Sequence, residues 1–315
     1  MSSDDLIRIY VGADRSQSLA VAVLDHSIRR HTTAQVELVP MIDLPVPQPR
    51  DPRNAQRTGF SFSRFCIPKL AGYRGKAIYM DADMLVMRDI RNLWNIPFDG
   101  AKVIVQKEVK FEDTTIAKAG APPSRKKQCA VMLLDCGRLD WAVEDIVASL
   151  DHGEYDYDEL MSTLCILHDA EVNYGVPFEW NSLEYCDADT SLIHYTDMGT
   201  QPWVYTSNKF GQLWLDEVRL MLKNRKLTVD AVQEEIDLGY FRPSLLRDVR
   251  YRHRIPQRLR ALWDQKNATR DALSGYVKHR SVYDAKRARQ AAATSYQKAF
   301  DTKIPSPTTD EGEIT

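Results

Sequence analysis

Long apolar runs are missing from this chain of 315 residues. No stretch approaches the roughly twenty consecutive apolar residues that a helix needs to cross a bilayer. The first five residues, Met-Ser-Ser-Asp-Asp, are acidic where a secretory signal peptide would be basic and then apolar. We therefore exclude an integral membrane protein and expect a cytoplasmic one.

Cysteine is scarce, and an excess of one charge sign is nearly absent. The five cysteines form no Cys-x-x-Cys pair, and such a scattered, odd set indicates free thiols in a reducing compartment. A net charge of -2 excludes a nucleic-acid binder that depends on overall positive charge. We therefore expect no nucleic-acid partner, although the charge leaves room for a local basic patch.

Apolar strands and amphipathic helices alternate from the first residues onward. Strands are predicted at Leu6–Val11, Val36–Met41, Lys76–Val86, Val103–Gln106 and Cys129–Leu134, and helices at Ser18–Arg30, Phe60–Leu70 and Trp141–Leu150. This alternation predicts an α/β fold with a mainly parallel sheet, which binds ligands at the carboxyl ends of its strands. Beyond about Phe210 the pattern is helical, with helices predicted at Leu213–Leu227 and Val229–Leu238.

Two carboxylates one residue apart, Asp81 and Asp83, end the apolar strand that starts at Lys76. The pleat of a strand would send both side chains to one side. Like charges held close repel, and each costs free energy to desolvate. A divalent cation removes both penalties and then recruits phosphate oxygens from a substrate. The alternative is a strand that ends in a turn with two solvated aspartates.

Two further segments lie where ligands are expected. Gly12-Ala13-Asp14 follows the first strand, so it would lie at the same edge of the sheet as the two aspartates. His194 ends a later apolar strand and is followed by a glycine turn and Pro202-Trp203. A neutral imidazole is a ligand that Mn²⁺ accepts beside carboxylates. Taken alone, His194 is also compatible with an ordinary surface or core histidine.

Together these residues resemble the family 8 retaining glycosyltransferases, which include glycogenins and bacterial lipopolysaccharide galactosyltransferases. The resemblance runs from about Ile7 to Trp203 and rests on landmarks in the family's order. They are Gly12-Ala13-Asp14, the segment Phe62 to Leu70, Asp81-Ala82-Asp83, the strand Cys129 to Asp135, and the segment from His194 to Trp203. The resemblance implies the GT-A fold, an α/β nucleotide-diphosphosugar transferase fold with a Rossmann-like mixed sheet between helices.

The resemblance also implies a role for each matching residue. Asp81, Asp83 and His194 would bind Mn²⁺ or Mg²⁺, and the two phosphates of a UDP-sugar donor would complete the coordination shell. The other donor-binding positions would be Val11, Gly12, Ala13, Asp14, Arg64, Ala82 and Gly199. Of these, Val11 to Asp14 would seat uracil and ribose, and the backbone at Gly199 would approach the β-phosphate. The alternative for Arg64 is a salt bridge on a helix surface.

Three positions depart from the family pattern. Gln128 stands where the family has asparagine, Tyr157 stands where it has the glutamine behind the anomeric carbon, and Gln201 stands where it has a phosphate-neutralising lysine. We still assign Gln128, Asp156 and Tyr157 to the catalytic site and Gln201 to donor binding. Asp156 would position sugar hydroxyls, and its alternative role is an acid that opens a helix.

The predicted function is transfer of a hexose from a UDP-sugar to an acceptor hydroxyl, on a glycan or a lipid-linked saccharide, with retention at the anomeric carbon. One alternative is a non-catalytic sugar-nucleotide binder or scaffold on the same fold. Another is an aspartate-nucleophile phosphatase, whose strand also ends in Asp-x-Asp. That chemistry expects threonine or valine where Leu85 stands, so we disfavour it.

We divide the chain into a catalytic domain at 1–210, a helical basic extension at 211–303 and a disordered tail at 304–315. Between Arg242 and Arg289, fourteen basic residues stand against four acidic ones. With Trp263, Leu259 and Leu262 nearby, this stretch suggests docking on an anionic surface, most simply the inner face of the membrane. The alternative is a helical layer whose arginines pair with acids of the catalytic domain.

Overall fold

A computed structural model describes residues 6–107 and 127–301 of the chain. Its centre is a six-stranded sheet with the strand order β2-β1-β3-β6-β5-β7, and a small second sheet has the order β4-β9-β8. The strands are β1 (Leu6–Gly12), β2 (Gln35–Met41), β3 (Lys76–Asp81), β4 (Met84–Val86), β5 (Val103–Lys107), β6 (Lys127–Asp135), β7 (Val172–Val176), β8 (Ser182–Leu183) and β9 (Leu192–His194).

Helices surround this sheet and form the C-terminal part of the described chain. They are α1 (Ser18–His31), α2 (Ile67–Leu70), α3 (Arg91–Trp94), α4 (Val143–His152), α5 (Tyr157–Thr163), α6 (Gly211–Lys223), α7 (Val229–Asp237), α8 (Leu245–Tyr251), α9 (Gln257–Leu273) and α10 (Arg280–Asp301). Most bounds agree with the sequence predictions to within a few residues. No helix among the described residues is long and apolar enough to cross a membrane.

The main sheet is mixed rather than purely parallel. Strand β1 pairs in parallel with β2 and β3, whereas β6 is antiparallel to both of its neighbours, β3 and β5. A mixed sheet with helices around it and a helical C-terminal region confirms the predicted fold class. Gly12 is in register with Asp81, so the two segments singled out in the sequence do lie at one edge.

Alternate residues of the central strands supply the two faces of the core. On β3, Ile78 and Met80 join a cluster that includes Leu24 and Ile28 of α1. The intervening Tyr79 belongs to a cluster on the other face of the sheet. This alternation is what a strand buried on both faces requires, and it explains why β3 reads as a continuous apolar run.

The segment Phe60–Leu70 differs from the single helix that its sequence predicts. Residues Ser63–Cys66 form one turn of 3-10 helix, and α2 adds only four residues after it. Pro68 lies in the first turn of α2, where its missing N–H and fixed φ are tolerated. A continuous α-helix through Pro68 would lose a backbone hydrogen bond, so the segment splits here.

The basic stretch contains two buried ion pairs within the C-terminal helices. Arg242 bonds Asp248 at 2.7 Å, with the two side chains 1% and 0% exposed, and Arg252 bonds Asp264 at 2.9 Å. These arginines therefore pair with acids of the stretch itself rather than with acids of the sheet region. The division at residue 210 stays a prediction, and the tail at 304–315 lies outside the described residues.

Candidate metal and nucleotide site

Two strand ends bring Asp81, Asp83 and His194 together. Strand β3 ends at Asp81, and Asp83 occupies the turn that leads into β4. Antiparallel pairing of β4 with β9 sets Met84 opposite His194, and the N–H of Tyr195 donates to the carbonyl of Asp83 at 2.8 Å. One ligand atom from each of the three side chains lies within 4.8 Å of the others. The cluster is thus built by the pairing of two short strands.

Two buried side-chain amides determine which ring nitrogen of His194 carries the proton. The side-chain amide of Asn181 donates to Gln106 Oε1 at 2.8 Å, so its oxygen Oδ1 faces His194 Nδ1 at 2.9 Å. Since this oxygen can only accept, Nδ1 carries the proton in the neutral ring. Nε2 then presents its lone pair to Asp83, 3.1 Å from Oδ1. A histidine oriented through its other nitrogen is typical of metal ligands.

The charges of this cluster are unbalanced among the protein atoms alone. Asp83 Oδ1 is buried and receives no hydrogen bond within the described residues, although His194 Nε2 faces it. Burial opposes a charge on His194, but the carboxylates of Asp83 and Asp81 outweigh it and raise the pKa of His194. Burial and the neighbouring Asp83 likewise raise the pKa of Asp81, against the effect of Arg64. A cation between these oxygens and Nε2 would give the buried Asp83 oxygen a partner and offset the repulsion between the two carboxylates. The donor set therefore fits a divalent metal.

A residue of the same strand, Tyr79, fixes the carboxylate of Asp81. Tyr79 lies two residues earlier on the same face of β3, and its hydroxyl donates to Asp81 Oδ1 at 2.6 Å. The guanidinium of Arg64 donates to the same hydroxyl at 3.1 Å and lies 3.8 Å from Asp81 Oδ1. A Cβ at Gly12 would lie 2.4 Å from the Tyr79 hydroxyl, so glycine is required where β1 passes this group.

Arg64 is buried rather than placed on a helix surface, since it is 6% exposed. Its Nε donates to the carbonyl of Ser61 at 3.1 Å and its Nη1 donates to the carbonyl of Cys129 at 2.8 Å. The ring of Tyr79 packs against the guanidinium, whose carbon lies 4.6 Å from the ring centroid. These contacts fix a permanent positive charge beside the two aspartates.

The three clustered residues line one side of a cleft of about 750 Å³. Other side chains chosen from the sequence line the same cleft, namely Asp14, Arg64, Tyr157 and Gln201. Of the remaining positions, Val11, Ala13 and Ala82 are packed in the apolar core beneath it. The structure therefore brings the predicted nucleoside, metal and sugar regions to a single cleft, and the individual roles stay predictions.

Several of these residues also have structural partners. Asp14 caps the turn after β1, accepting from the N–H of Ser16 at 2.8 Å. Gln201 is buried, and its side-chain Nε2 donates to Asp83 Oδ2 at 2.9 Å. The N–H of Gly199, assigned to the β-phosphate, donates to the Asp197 carboxylate at 2.9 Å. Where the family has a lysine, Gln201 therefore orients one carboxylate of the candidate metal cluster.

Of the residues assigned to the sugar, Tyr157 lines the cleft, whereas Asp156 is not among its described lining residues. Asp156 caps α5 by accepting from the N–H of Glu159 at 2.8 Å. Tyr157 is buried, and its hydroxyl donates to Ser61 Oγ at 3.0 Å while the Arg57 guanidinium lies 4.3 Å from its ring centroid. Gln128 is described through its backbone, which pairs with Gln106 across β5 and β6.

Sequence reasoning missed the residues that orient the site from a distance. Tyr79 carries a weak signal, because it lies two positions before Asp81 and so shares its face of the strand. Asn181 and Gln106 carry none, since their pairing depends on how β8 and β5 approach each other in space. Lys278 and His279 come from the C-terminal extension and contact the turn at Met198 and Gly199.

Replacing Asn181 tests the orientation of His194. In Asn181→Ala the imidazole loses the partner that holds Nδ1, and we expect Mn²⁺ affinity to fall about 10-fold to 100-fold, the range for such supporting residues. Isothermal titration of the protein with Mn²⁺ measures the change. Asn173→Ala, which removes an amide that contacts Pro97 instead, serves as the control. Equal Mn²⁺ affinity in both variants would contradict this role for Asn181.

Comparisons with known proteins agree with the resemblance. The sequence model of glycosyl transferase family 8 matches residues 9–139. Protein CDI of Arabidopsis thaliana is 29% identical over 71% of this chain and 90% of its own length.

Similar solved structures include the bifunctional glycosyltransferase WbbM, which is 15% identical over 69% of this chain at a TM-score of 0.48. The galactosyltransferase LgtC with donor and acceptor sugar analogs is 13% identical over 67% of this chain and 95% of its own, at a TM-score of 0.46. This chain spans 50% of WbbM and 59% of GlyE from Streptococcus pneumoniae TIGR4. The matched residues 9–139 contain Gly12, Arg64 and both clustered aspartates, so this part of the chain is similar to glycosyl transferase family 8.

Proposed function

We propose that this glycosyltransferase moves a hexose from a UDP-sugar to an acceptor hydroxyl, that it depends on Mn²⁺ or Mg²⁺, and that it retains the anomeric configuration. The observation that carries the proposal is the cluster of Asp81, Asp83 and His194 in a cleft of about 750 Å³. Carboxylate oxygens and an imidazole nitrogen suit a divalent cation that also holds a diphosphate.

Negative charge develops on the diphosphate as its bond to the sugar breaks, so the site must stabilise that charge. A bound cation supplies Lewis-acid stabilisation at the leaving oxygen. Arg64 adds a fixed positive charge, buried beside Asp81, where the low dielectric strengthens its effect. Gln201 and Tyr79 hold the two carboxylates in place, so they do not reorganise during the reaction.

We infer retention at the anomeric carbon from the match of residues 9–139 to the family, whose acceptor hydroxyl attacks from the side that UDP leaves. The departing phosphate oxygen can then take the proton of the acceptor, and no strong protein base is needed. The cleft wall near Tyr157 and Asp158 would face the donor sugar. We propose a glycan or lipid-linked saccharide as the acceptor.

A panel of nucleotide sugars, each with and without Mn²⁺, tests the donor. Mass action predicts that the right donor raises the melting temperature only when the metal is present. A UDP-sugar that stabilises the protein equally without metal would contradict the metal assignment. Hydrolysis of the same donor, in Mn²⁺ without acceptor, separates an enzyme from a non-catalytic sugar-nucleotide binder, which would release no free sugar.

The proposal extends to peripheral contact with an anionic membrane on its cytoplasmic side, through helix α9. Leu259, Leu262, Lys266, Arg270 and Leu273 recur at helical spacing and share one exposed face of this helix. Leu262 is 65% exposed and Leu273 is 84% exposed. Apolar side chains can enter the boundary between headgroups and acyl chains, and each basic residue near an anionic surface contributes about 1 kcal/mol to the free energy of membrane binding.

Vesicle sedimentation tests this surface. We expect the protein to sediment with phosphatidylserine vesicles at low salt and to detach at high salt. It should not sediment with vesicles of pure phosphatidylcholine. The variant Leu262→Ser with Leu273→Ser removes apolar contacts without changing charge, and it should bind more weakly. Absence of binding at low salt would contradict membrane docking, and binding that persists in high salt would contradict its electrostatic part.

A further inference from the structure

His279 belongs to the C-terminal extension but lines the metal-binding cleft. It directly precedes α10, is 9% exposed, and shares the cleft with Asp81, Asp83 and Met198. It lies far outside the segment that matches the family, residues 9–139. The extension therefore supplies part of the wall of the cleft.

Several contacts hold this imidazole in place. Its Nε2 lies 2.9 Å from the carbonyl oxygen of Met198, and the ring of Tyr283 packs edge-on against it at 6.4 Å between centroids. The preceding Lys278 donates to the carbonyl of Gly199 at 2.7 Å. His279 has a φ of 46°, a left-handed conformation that residues other than glycine seldom adopt. Such conformations persist where the surroundings enforce them, often at ligand sites.

The contact with Met198 decides which nitrogen is available to a ligand. A carbonyl oxygen can only accept, so Nε2 carries the proton and donates. In the neutral ring Nδ1 is then a hydrogen-bond acceptor, and it has no partner among the described residues. Burial lowers the pKa of His279 and favours this neutral form, although the carboxylates of Asp14 and Asp83 act in the opposite direction. Nδ1 can therefore accept from a hydroxyl but cannot donate to a phosphate.

Helix α10 runs from the metal end of the cleft toward its nucleoside end. Val282 lines the main cleft, and together with Ser281 it also lines an adjoining cavity of about 340 Å³ beside Asp14. Further along the helix, Arg289 donates to the carbonyl of Gln56 at 3.1 Å. His279 thus lines the same cleft as Asp14 of the region assigned to the nucleoside and as Asp81 and Asp83 of the metal cluster. In a bound nucleoside diphosphate, ribose is the group between those two ends.

We propose that His279 binds the donor nucleotide, with its unprotonated Nδ1 accepting a hydrogen bond from one hydroxyl of the ribose. The inference rests on the proposed function, since it assumes a nucleotide whose diphosphate meets the Asp81, Asp83 and His194 cluster. It assigns to the extension a share in nucleotide recognition. Hydroxyl groups distinguish ribose from its deoxy analogues, which makes the contact measurable.

Two substitutions distinguish the roles of the two ring nitrogens of His279. His279→Gln can keep a donor for the Met198 carbonyl but loses the acceptor at Nδ1, whereas His279→Asn keeps an oxygen near Nδ1 and tolerates positive φ. Isothermal titration in Mn²⁺ compares UDP with 2′-deoxy-UDP and 3′-deoxy-UDP. We expect His279→Gln to weaken UDP binding about tenfold and to leave the affinity for one deoxy analogue within about twofold. His279→Asn should still discriminate between UDP and that analogue.

The control is Tyr283→Phe, which keeps the ring against His279 and should bind all three nucleotides as the unaltered protein does. Equal losses for UDP and both analogues in His279→Gln would make His279 structural and overturn the inference. Unchanged UDP affinity in His279→Gln would overturn it as well. Failure of the unaltered protein to bind UDP in Mn²⁺ would instead overturn the proposed donor, and the inference with it. Melting curves of each variant exclude unfolding as the cause.

Discussion

Asp83→Asn is expected to abolish metal-dependent nucleotide binding and glycosyl transfer while leaving the fold intact. The amide keeps the shape of the side chain but removes the charge from the buried oxygen that faces His194. Loss of a direct ligand should cost at least about 100-fold in UDP affinity in Mn²⁺, the upper range for residues that only support ligands. Isothermal titration and a transfer assay measure the two effects.

Stability provides the internal check on this prediction. Without metal, Asp83→Asn removes both the repulsion of Asp81 and the attraction to His194, so the melting temperature of the metal-free protein should change little. The half-buried Asp216, paired with Arg219 on α6, offers a control in Asp216→Asn, which should leave binding unchanged. Undiminished turnover of Asp83→Asn in saturating Mn²⁺ would remove Asp83 from the metal site.

The largest stability effect is expected from breaking the buried pair of Arg242 and Asp248. Asp248 also accepts from Trp263 Nε1 at 2.5 Å and from Asn267 Nδ2 at 2.6 Å. Asp248→Asn keeps an oxygen for those two donors but leaves the guanidinium buried without a counter-charge. We expect the free energy of unfolding to fall by roughly 3–5 kcal/mol, measured by urea titration.

A second substitution separates lost charge from lost packing. The double variant Arg242→Met with Asp248→Asn removes both charges of the pair together, and most of the lost stability should return. If the double variant were less stable than Asp248→Asn alone, packing around Arg242 would matter more than its charge. Arg242 also donates through its backbone N–H to the carbonyl of Trp203 at 2.9 Å and through Nε to that of Pro202 at 3.1 Å. The pair therefore supports the turn that carries Gln201.

Local patterns in the sequence predicted five of the six strands of the main sheet but not β7, and they drew attention to Asp81 and Asp83. Buried strands such as β3 appear as apolar runs, and the order of landmarks from Gly12 to Trp203 indicated the family whose sequence model matches residues 9–139. One detail of the reasoning was wrong: the strand ends at Asp81, so the pleat does not align Asp81 with Asp83. The two converge because the chain turns into β4, and Tyr79 is the residue that shares a face with Asp81.

The parts that sequence reasoning could not supply are those set by tertiary packing. His279 and Met198 are 81 positions apart in the chain, and no local periodicity links them. The hydrogen bond between Asn181 and Gln106 spans 75 positions. The residues that contact a ligand therefore carry a motif, whereas the residues that orient them depend on how distant segments pack.

The apolar cluster around Trp203 has a consequence for how this chain could change during evolution. Ala20 and Val23 of α1 pack there with Trp214 of α6 and Phe241 after α7. A protein ending near residue 210 would expose this face of α1 to water, at about 25 cal/mol for each Å² uncovered. Recombination that exchanged the C-terminal helices between relatives would have to exchange a matching α1 as well, so the two ends of the chain are expected to be inherited together.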